Sequence, residues 1–387
     1  MEKERLSVVF TGDIGFDRYF DGKWKDDALL DSGVLNFLHS ADHVCANVEA
    51  AVTREGPDGD KGIFFHAMDP EAVRALKLMH ADVWNLGNNH IMDGGAKGVA
   101  DTLIHAEEAG AVTVGAGLDE KQASEPVILP GGGGAGIISV AYMNENVPAG
   151  PSSAGIVSWK DMDLIQSLID RVKASCRWCV IVSHGGEEFT ALPNTYTRDR
   201  YLRYLEMGAD AVIAHHPHVP QGYEITGDGK VIFYSLGNFI FDTDYQRAHA
   251  HTDEGILVKL CFTKDELSFE LLGTRIIRGN QRIVSAPLAD IVTRIDADQY
   301  ALLAPLAARA HLAEERRRKE FQEPSRFIPM SPAEWKDFLF DKKNWPYRDD
   351  MSYQDFGYIY EFAKKAGEGE WKKSSLEKVK AYLLDLL

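Results

Sequence analysis

The stretch "DAVIAHHPHV", residues 210–219, runs an apolar segment straight into three histidines. Ala211, Val212, Ile213 and Ala214 read as a strand buried on both faces, because short continuous aliphatic runs suit a parallel sheet covered on each side. His215, His216 and His218 emerge where that strand stops, and they either close a turn or hold a ligand. Strand side chains alternate, so His216 and His218, two apart, would share one face while His215 points to the other. Pro217 stiffens the link between the two.

The same punctuation repeats on both sides of this segment. "LSVVFTGD" (6–13), "VCANVEA" (44–50), "ADVWNLGNNH" (81–90), "AVTVGAG" (111–117), "GIISVAY" (136–142), "CVIVSHGG" (179–186) and "VIFYSLGNF" (231–239) are all short apolar runs that end in polar or small residues. Helical patterns sit between them. "DPEAVRALKLMH" has Asp69 as N-cap and Pro70 at the first helical position. "AKGVADTLIHAEEAG" ends in Gly110, a C-cap residue. "KDMDLIQSLIDRVKAS" aligns Met162, Ile165, Leu168, Ile169 and Val172 on one stripe. Such alternation means an α/β architecture with layered sheets. Residues 255–278 predict a hairpin turned at "TKDE", and Gly131–Gly134 reads as a flexible turn.

Near residue 300 the composition changes. "LAARAHLAEERRRKEF" is a charged helical pattern, "NWPYRDDMSYQDFGYIYEF" is aromatic-rich and "SSLEKVKAYLLDLL" is amphipathic. The expected division is a chemical domain over 1–284 and a helical C-terminal region over 285–387. That region would pack on the core, cover the site or mediate self-association.

Composition narrows the function classes. The chain has 387 residues, 45% hydrophobic and 26% charged, as in a water-soluble globular protein. A formal charge of −17 argues against nonspecific nucleic-acid binding, which needs clustered Lys and Arg. An anionic substrate would need local positive charge, such as metal ions, to offset that field. No run reaches the roughly 20 apolar residues of a membrane span. "MEKERLSVVF" has no apolar signal core, and the first strand begins at about residue 6, so the expected location is cytoplasmic. Four cysteines are too few for a disulfide framework. Cys176 and Cys179 form a CxxC without the second pair that zinc would want, and they read as reduced thiols or a redox pair.

The strand ends carry the chemistry. Asp13 closes the first run, Asn47 and Glu49 the second, and Asn88, Asn89 and His90 the third. His184 closes a later one, followed by His216 and His218. Ligands of open α/β sheets bind at the carboxyl ends of strands. Singly, each residue has a plain structural reading: a cap for Asp13, a solvated carboxylate for Glu49, turn residues for Asn88 and Asn89, a hydrogen-bonded core imidazole for His184. Jointly they form a metal or acid–base constellation. Imidazole nitrogen and carboxylate oxygen suit a divalent manganese, zinc or iron ion. Glu187 and Glu188 follow His184 closely, and Glu188 is read as a catalytic base. Asp93 is read as a partner of His90. Asn47, His66 and Asn238 are read as substrate-binding residues.

Six segments resemble the CapA family, named for bacterial poly-γ-glutamate capsule synthesis. They are "FTGDIGFDR" (10–18), "ANVEAAVT" (46–53), "NLGNNHIMDGG" (85–95), "VSHGGEEF" (182–189), "GADAVIAHHPHVPQGYE" (208–224) and "FYSLGNFIFD" (233–242). The family's fold is similar to the calcineurin-like metallophosphoesterases, so the resemblance implies a layered α/β/β/α sandwich over about residues 5–280. It further implies that Asp13 and Asn89 are metal ligands and that Glu49 bridges two metals. His184 and His216 would bind one ion and His218 the other, with His90 contacting the scissile oxygen as acid or electrostatic stabiliser. Two departures stand out. Gly15 occupies a position where the phosphoesterases usually have a histidine, and Glu49 is one methylene longer than the usual aspartate, so the centre would hold one or two ions. The expected function is a metal-dependent hydrolase in poly-γ-glutamate or capsule-type metabolism. In it, metal-activated water would attack a phosphoester, or an amide of an anionic polymer or peptide. The alternative is a non-catalytic polymer-biosynthesis partner that binds through the same site.

Overall fold

A computed structural model describes residues 4–59, 62–142, 148–288, 297–322 and 334. The amino-terminal part alternates strand and helix: β1 (Leu6–Ile14), α1 (Ser32–His39), β2 (His43–Val48), α2 (Val73–Leu78), β3 (Ala81–Asn85), α3 (Gly95–Ala109) and β4 (Val112–Val114). All nine residues of β1 are buried, as an unbroken apolar run requires of a central strand. β1, β2, β3 and β4 pair in parallel in that order. Gly110 ends α3 in the left-handed conformation, φ 80°. Asp69 accepts a hydrogen bond from Glu71 N at the start of the 3-10 turn that leads into α2.

The middle of the chain builds a second, six-stranded sheet. Its elements are β5 (Val127–Leu129), β6 (Ala135–Ala141), α4 (Met162–Lys173), β7 (Trp178–His184), α5 (Thr195–Glu206), β8 (Ala211–His215), β9 (Tyr223–Ile225) and β10 (Val231–Phe233). The parallel core β6–β7–β8–β10 is flanked by antiparallel β5 and β9. The chain then returns to the first sheet. β11 (Asn238–Ile240) pairs in parallel with β1. β12 (Glu254–Phe262), β13 (Leu267–Ile277) and β14 (Arg282–Ala286) extend the sheet antiparallel from β1, and Thr263–Glu266 is the turn of the expected hairpin.

Three apolar clusters make these elements four layers. Phe10, Val83, Val180, Ile213, Phe233 and Val258 lie together between the two sheets. Leu38, Leu76 and Val99 carry α1, α2 and α3 on the outer face of the first sheet. Ile165, Leu168, Tyr201 and Leu205 carry α4 and α5 on the outer face of the second. The result is the α/β/β/α sandwich.

Some expectations change. β3 stops at Asn85 and β7 at His184, so the functional residues beyond them lie on loops and not on strands. Gly131–Gly134 is a fixed turn: all four glycines have φ between 61° and 102°. A Cβ on Gly132 would come within 2.5 Å of the Phe262 carbonyl oxygen. Of the C-terminal region, α6 (Ala297–Gln322) is described, and its Tyr300 donates a hydrogen bond to the Pro193 carbonyl. The aromatic-rich and amphipathic stretches after 322 lie outside the described residues.

Candidate metal centre

The centre starts from strand register. Asn85, Asn47, Asp13 and Asn238 sit side by side across β3, β2, β1 and β11. A hydrogen-bonded row follows from that register. Asn85 Nδ2 donates to Asn47 Oδ1 at 2.7 Å, and Asn47 Nδ2 donates to Asp13 Oδ1 at 2.7 Å. Asn238 Oδ1 lies 3.0 Å from His218 Nδ1. Asp13 is fully buried and its Oδ2 is 3.2 Å from the same His218 nitrogen. Burial alone would raise the Asp13 pKa, but the adjacent His218 imidazole outweighs it, and the carboxyl is held below its ordinary range. The pairing raises His218 against the opposing effect of its own burial.

The second sheet supplies imidazoles across the crevice. His184 ends β7 opposite His215, the last residue of β8. His215 Nε2 bonds the Thr11 carbonyl at 2.8 Å and so ties β8 to β1, away from the centre. His216 and His218 share the crevice, but not through strand alternation. Both lie beyond β8 with φ of 97° and 58°, conformations that non-glycine residues rarely adopt and that cluster at functional sites. The His184 and His216 rings are 5.2 Å apart, and those of His216 and His218 5.9 Å.

Glu49 stands between the two sheets. Its Oε1 is 3.4 Å from His184 Nε2 and 3.7 Å from His218 Nε2. Burial, then the charge of Asp13, push its pKa well above the ordinary carboxylate value. Burial, then the neighbouring imidazoles beginning with His216, push His184 well below the ordinary histidine value. Without a cation, burial and these neighbours therefore favour the protonated form of Glu49 and the neutral form of His184.

The loop after β3 brings the remaining groups. Asn88 Oδ1 accepts from the backbone N–H of His90 and Ile91, and its Nδ2 donates to the Val48 carbonyl. That bracing presents Asn89 and His90 to the crevice. His90 Nδ1 is 2.9 Å from Asp93 Oδ2, and His90 Nε2 is 3.0 Å from Asn89 Nδ2. His66 lies against this pair, with its ring 4.4 Å from that of His90 and its backbone N–H donating to Asp93 Oδ2. Its Nδ1 is 2.7 Å from Asp17 Oδ2.

Whether these residues fit a metal is tested by their unused atoms. Asp13 Oδ2, both Glu49 oxygens, Asn89 Oδ1 and His184 Nε2 are buried and make no hydrogen bond. A buried polar group normally has a partner. Five orphans from four different segments, all acceptors or imidazole nitrogen, fit a divalent cation. Two groups of donors lie within 4.8 Å of one another around Glu49: Glu49 with His184 and His216, and Asp13 with Glu49 and His218. The structure thus brings Asp13, Glu49, His184, His216 and His218 together, while Asn89 is placed beside His90. It also sets Glu188 beside His216, 3.8 Å from Nε2.

Two expectations about contact with substrate do not match the geometry. Asn47 and Asn238 are 1% exposed and their amides are consumed by Asp13, Asn85, His218, Gln246 and the Thr252 carbonyl, so they orient Asp13 and His218 instead of facing a substrate. Glu187 accepts from Asn194 N and the Thr197 hydroxyl and anchors the start of α5. Three residues escaped the sequence reading. Asn85 ends its apolar run as Asn47 does, which is the signal that could have marked it, but its register with Asn47 is set only by the fold. Asp17 gave no signal, since no spacing rule links it to His66. Phe241 explains Gly15: its ring lies 2.9 Å from where a Cβ on residue 15 would stand.

A four-layer α/β/β/α sandwich with this carboxylate, asparagine and histidine set at its strand ends is the arrangement that the resemblance implied. The chain belongs to the bacterial capsule synthesis protein PGA_cap family, whose sequence profile matches residues 7–243. It is 32% identical over 250 residues to the PGA biosynthesis protein CapA of Bacillus subtilis (strain 168), covering 62% of this chain and 65% of that one. It is 30% identical over 259 residues to the capsule biosynthesis protein CapA of Bacillus anthracis, covering 64% and 62%. A probable polyglutamine synthesis accessory protein of Mycobacterium tuberculosis is 29% identical over 228 residues, covering 55% and 59%. The chain thus spans less than two thirds of these relatives' length. Among solved structures, TT1561 of Thermus thermophilus aligns with a TM-score of 0.37 and 10% identity over 68% of this chain and 98% of that one. No helix among the described residues is long and apolar enough to cross a membrane.

Proposed function

We propose that this chain is a metal-dependent hydrolase that cleaves a phosphoester, or an amide of an anionic polymer or peptide, in poly-γ-glutamate or capsule-type metabolism. The observation that carries the reading is that the buried, hydrogen-bond-free atoms of Asp13, Glu49 and His184 belong to side chains that, with His216 and His218, form donor groups within 4.8 Å. Asp13, Glu49, Asn89, His184, His216 and His218 would hold one or two manganese, zinc or iron ions. A cation bound there supplies Lewis acidity and a water acidified towards neutral pH.

The chain's own residues do the rest. The Asp93 contact to Nδ1 fixes the His90 ring, and Nε2, which accepts from Asn89 Nδ2 at rest, would deliver a proton to the leaving group only after releasing that amide and taking up the proton given up by the attacking water. Asn89 Nδ2 holds that nitrogen in place, while Oδ1 of the same side chain is available to a cation. His66, held by Asp17, walls the crevice beside His90 and would contact the substrate. With a formal charge of −17, the chain offers an anionic substrate little attraction except at the cation. The names of the relatives, which concern PGA and capsule synthesis, support the polymer context.

A second reading has one observation in its favour: Phe241 fills the space where residue 15 would supply a ligand. In that reading the protein binds the polymer without cleaving it. The two are separated by assaying manganese- and zinc-loaded protein on aryl phosphoesters and on γ-glutamyl oligomers. Turnover abolished by chelation supports the hydrolase. Metal binding without turnover on either class supports the binding partner.

A further inference from the structure

The donors of the centre form a third group besides the two that share Glu49. Glu188, His216 and His218 place one carboxylate oxygen and two ring nitrogens within 4.8 Å of one another. Two ligands at about 2.2 Å from one zinc-like ion can stand at most about 4.4 Å apart, so this group is close to the span a shared ion imposes. It lies on the open side of the centre: the Glu188 side chain is 19% exposed, against 0% for Glu49.

Glu188 is fixed there from both flanks. On one side Glu187 is anchored to the start of α5 through Asn194 and Thr197. On the other, Phe189, at φ 58°, donates its backbone N–H to the carbonyl of Pro217 at 2.8 Å. Pro217 is the residue between the two histidines. The backbone that carries Glu188 is therefore bonded to the backbone that carries His216 and His218.

The space a side chain at residue 15 would take is bordered by Asp17, whose Oδ1 lies 3.5 Å from where its Cβ would stand. Gly15 has no side chain, and the Phe241 ring takes its space while stacking on His218 at 5.0 Å and 19°. The ion position beside His218 thus has Asp13 on the β1 side, no side chain from residue 15, and an anchored carboxylate on the mouth side. We propose that Glu188 is a metal ligand, completing the ion position beside His218 in place of the missing side chain at residue 15. This rests on the metal centre argued above, and it replaces the expectation of Glu188 as a base.

The test is a titration of chelator-stripped protein with Co²⁺ or Mn²⁺, followed by calorimetry and by the cobalt absorption spectrum. Compared with the unaltered protein, Glu188→Gln should weaken at least one metal equivalent by about tenfold or more and change the cobalt spectrum. Glu187→Gln, which loosens one of the two flanks that hold Glu188, should lower the melting temperature and weaken metal binding less than Glu188→Gln does. Equal affinity and an unchanged spectrum in Glu188→Gln overturn the proposal while leaving the metal centre intact. Failure of the unaltered protein to bind any metal overturns the centre itself. Should Glu188→Gln not fold, anomalous diffraction from zinc-soaked crystals of the unaltered protein decides. A carboxylate oxygen of Glu188 at about 2.0–2.2 Å from an ion supports the proposal, and one beyond ligand distance overturns it.

Discussion

At Glu49, burial and the charge of Asp13 both disfavour the carboxylate. The folded chain therefore keeps a proton that the unfolded chain releases above its ordinary pKa of 4.5. Folded protein then binds more protons than unfolded protein, so stability falls as pH rises from that value through the raised folded pKa. Glu49→Gln removes the conflict. In chelator at pH 8 it should be more stable than the unaltered protein by about 1–2 kcal/mol in urea unfolding, the gain expected when a functional strain is relieved. It should lose most of the stabilisation by added manganese. Asp13 has the opposite sign: its depressed pKa contributes stability above the ordinary carboxylate pKa, lost as pH falls through the folded value. At His90 the expectation concerns rate. His90→Ala should lower kcat by about 10²–10⁴-fold with metal content unchanged, and Asp93→Asn should cost less, as measured by steady-state kinetics beside metal analysis.

Four adjacent strands place Asn85, Asn47, Asp13 and Asn238 in one row, and that row aims Asp13 and His218. Breaking it should act on the metal without touching a ligand. Asn47→Leu should weaken manganese binding by about 10–100-fold in competition with a fluorescent chelator, the cost typical of lost ligand orientation. Asn85→Leu, one step further from Asp13, should cost less. The row also shows which parts of the site could be read from sequence. Apolar runs announced the strands, and the polar residues that end them announced the crevice. Side-chain direction could not be read where the backbone leaves the strand. His216 and His218 meet through left-handed loop conformations and not through alternation. Asn47 and Asn238 turn to their neighbours because register, a long-range property, pairs them with Asp13 and His218. The pairing of His66 with Asp17 and the plug at Gly15 each join segments far apart in the chain, and no local pattern encodes such a meeting.

Across the molecule, the crevice exists because two sheets present their strand ends at one edge. The apolar layer between them and the His215–Thr11 bond set their spacing. Phe233, fully buried in that layer, touches both function and stability: Phe233→Ala should cost about 3–5 kcal/mol and weaken metal binding by loosening the sheets, read by urea unfolding and calorimetry. Further out, Tyr300 of α6 holds Pro193 on the segment that follows Glu188. Tyr300→Phe should cost about 1 kcal/mol, the value of one hydrogen bond. The layered α/β class and the order of its elements were legible because alternating periodicities are local signals. The fusion of the sheets was not, since the chain leaves the first sheet after β4 and returns to it only at β11. The central claim, that the converging atoms form a divalent metal centre, is tested most directly by titrating chelator-stripped protein with Mn²⁺ while recording its melting temperature. The account predicts saturable binding of at least one equivalent and a rise in melting temperature, corresponding to about 2.7 kcal/mol at a hundredfold excess over Kd. A chain that binds no manganese or zinc and melts at the same temperature with and without them contradicts it.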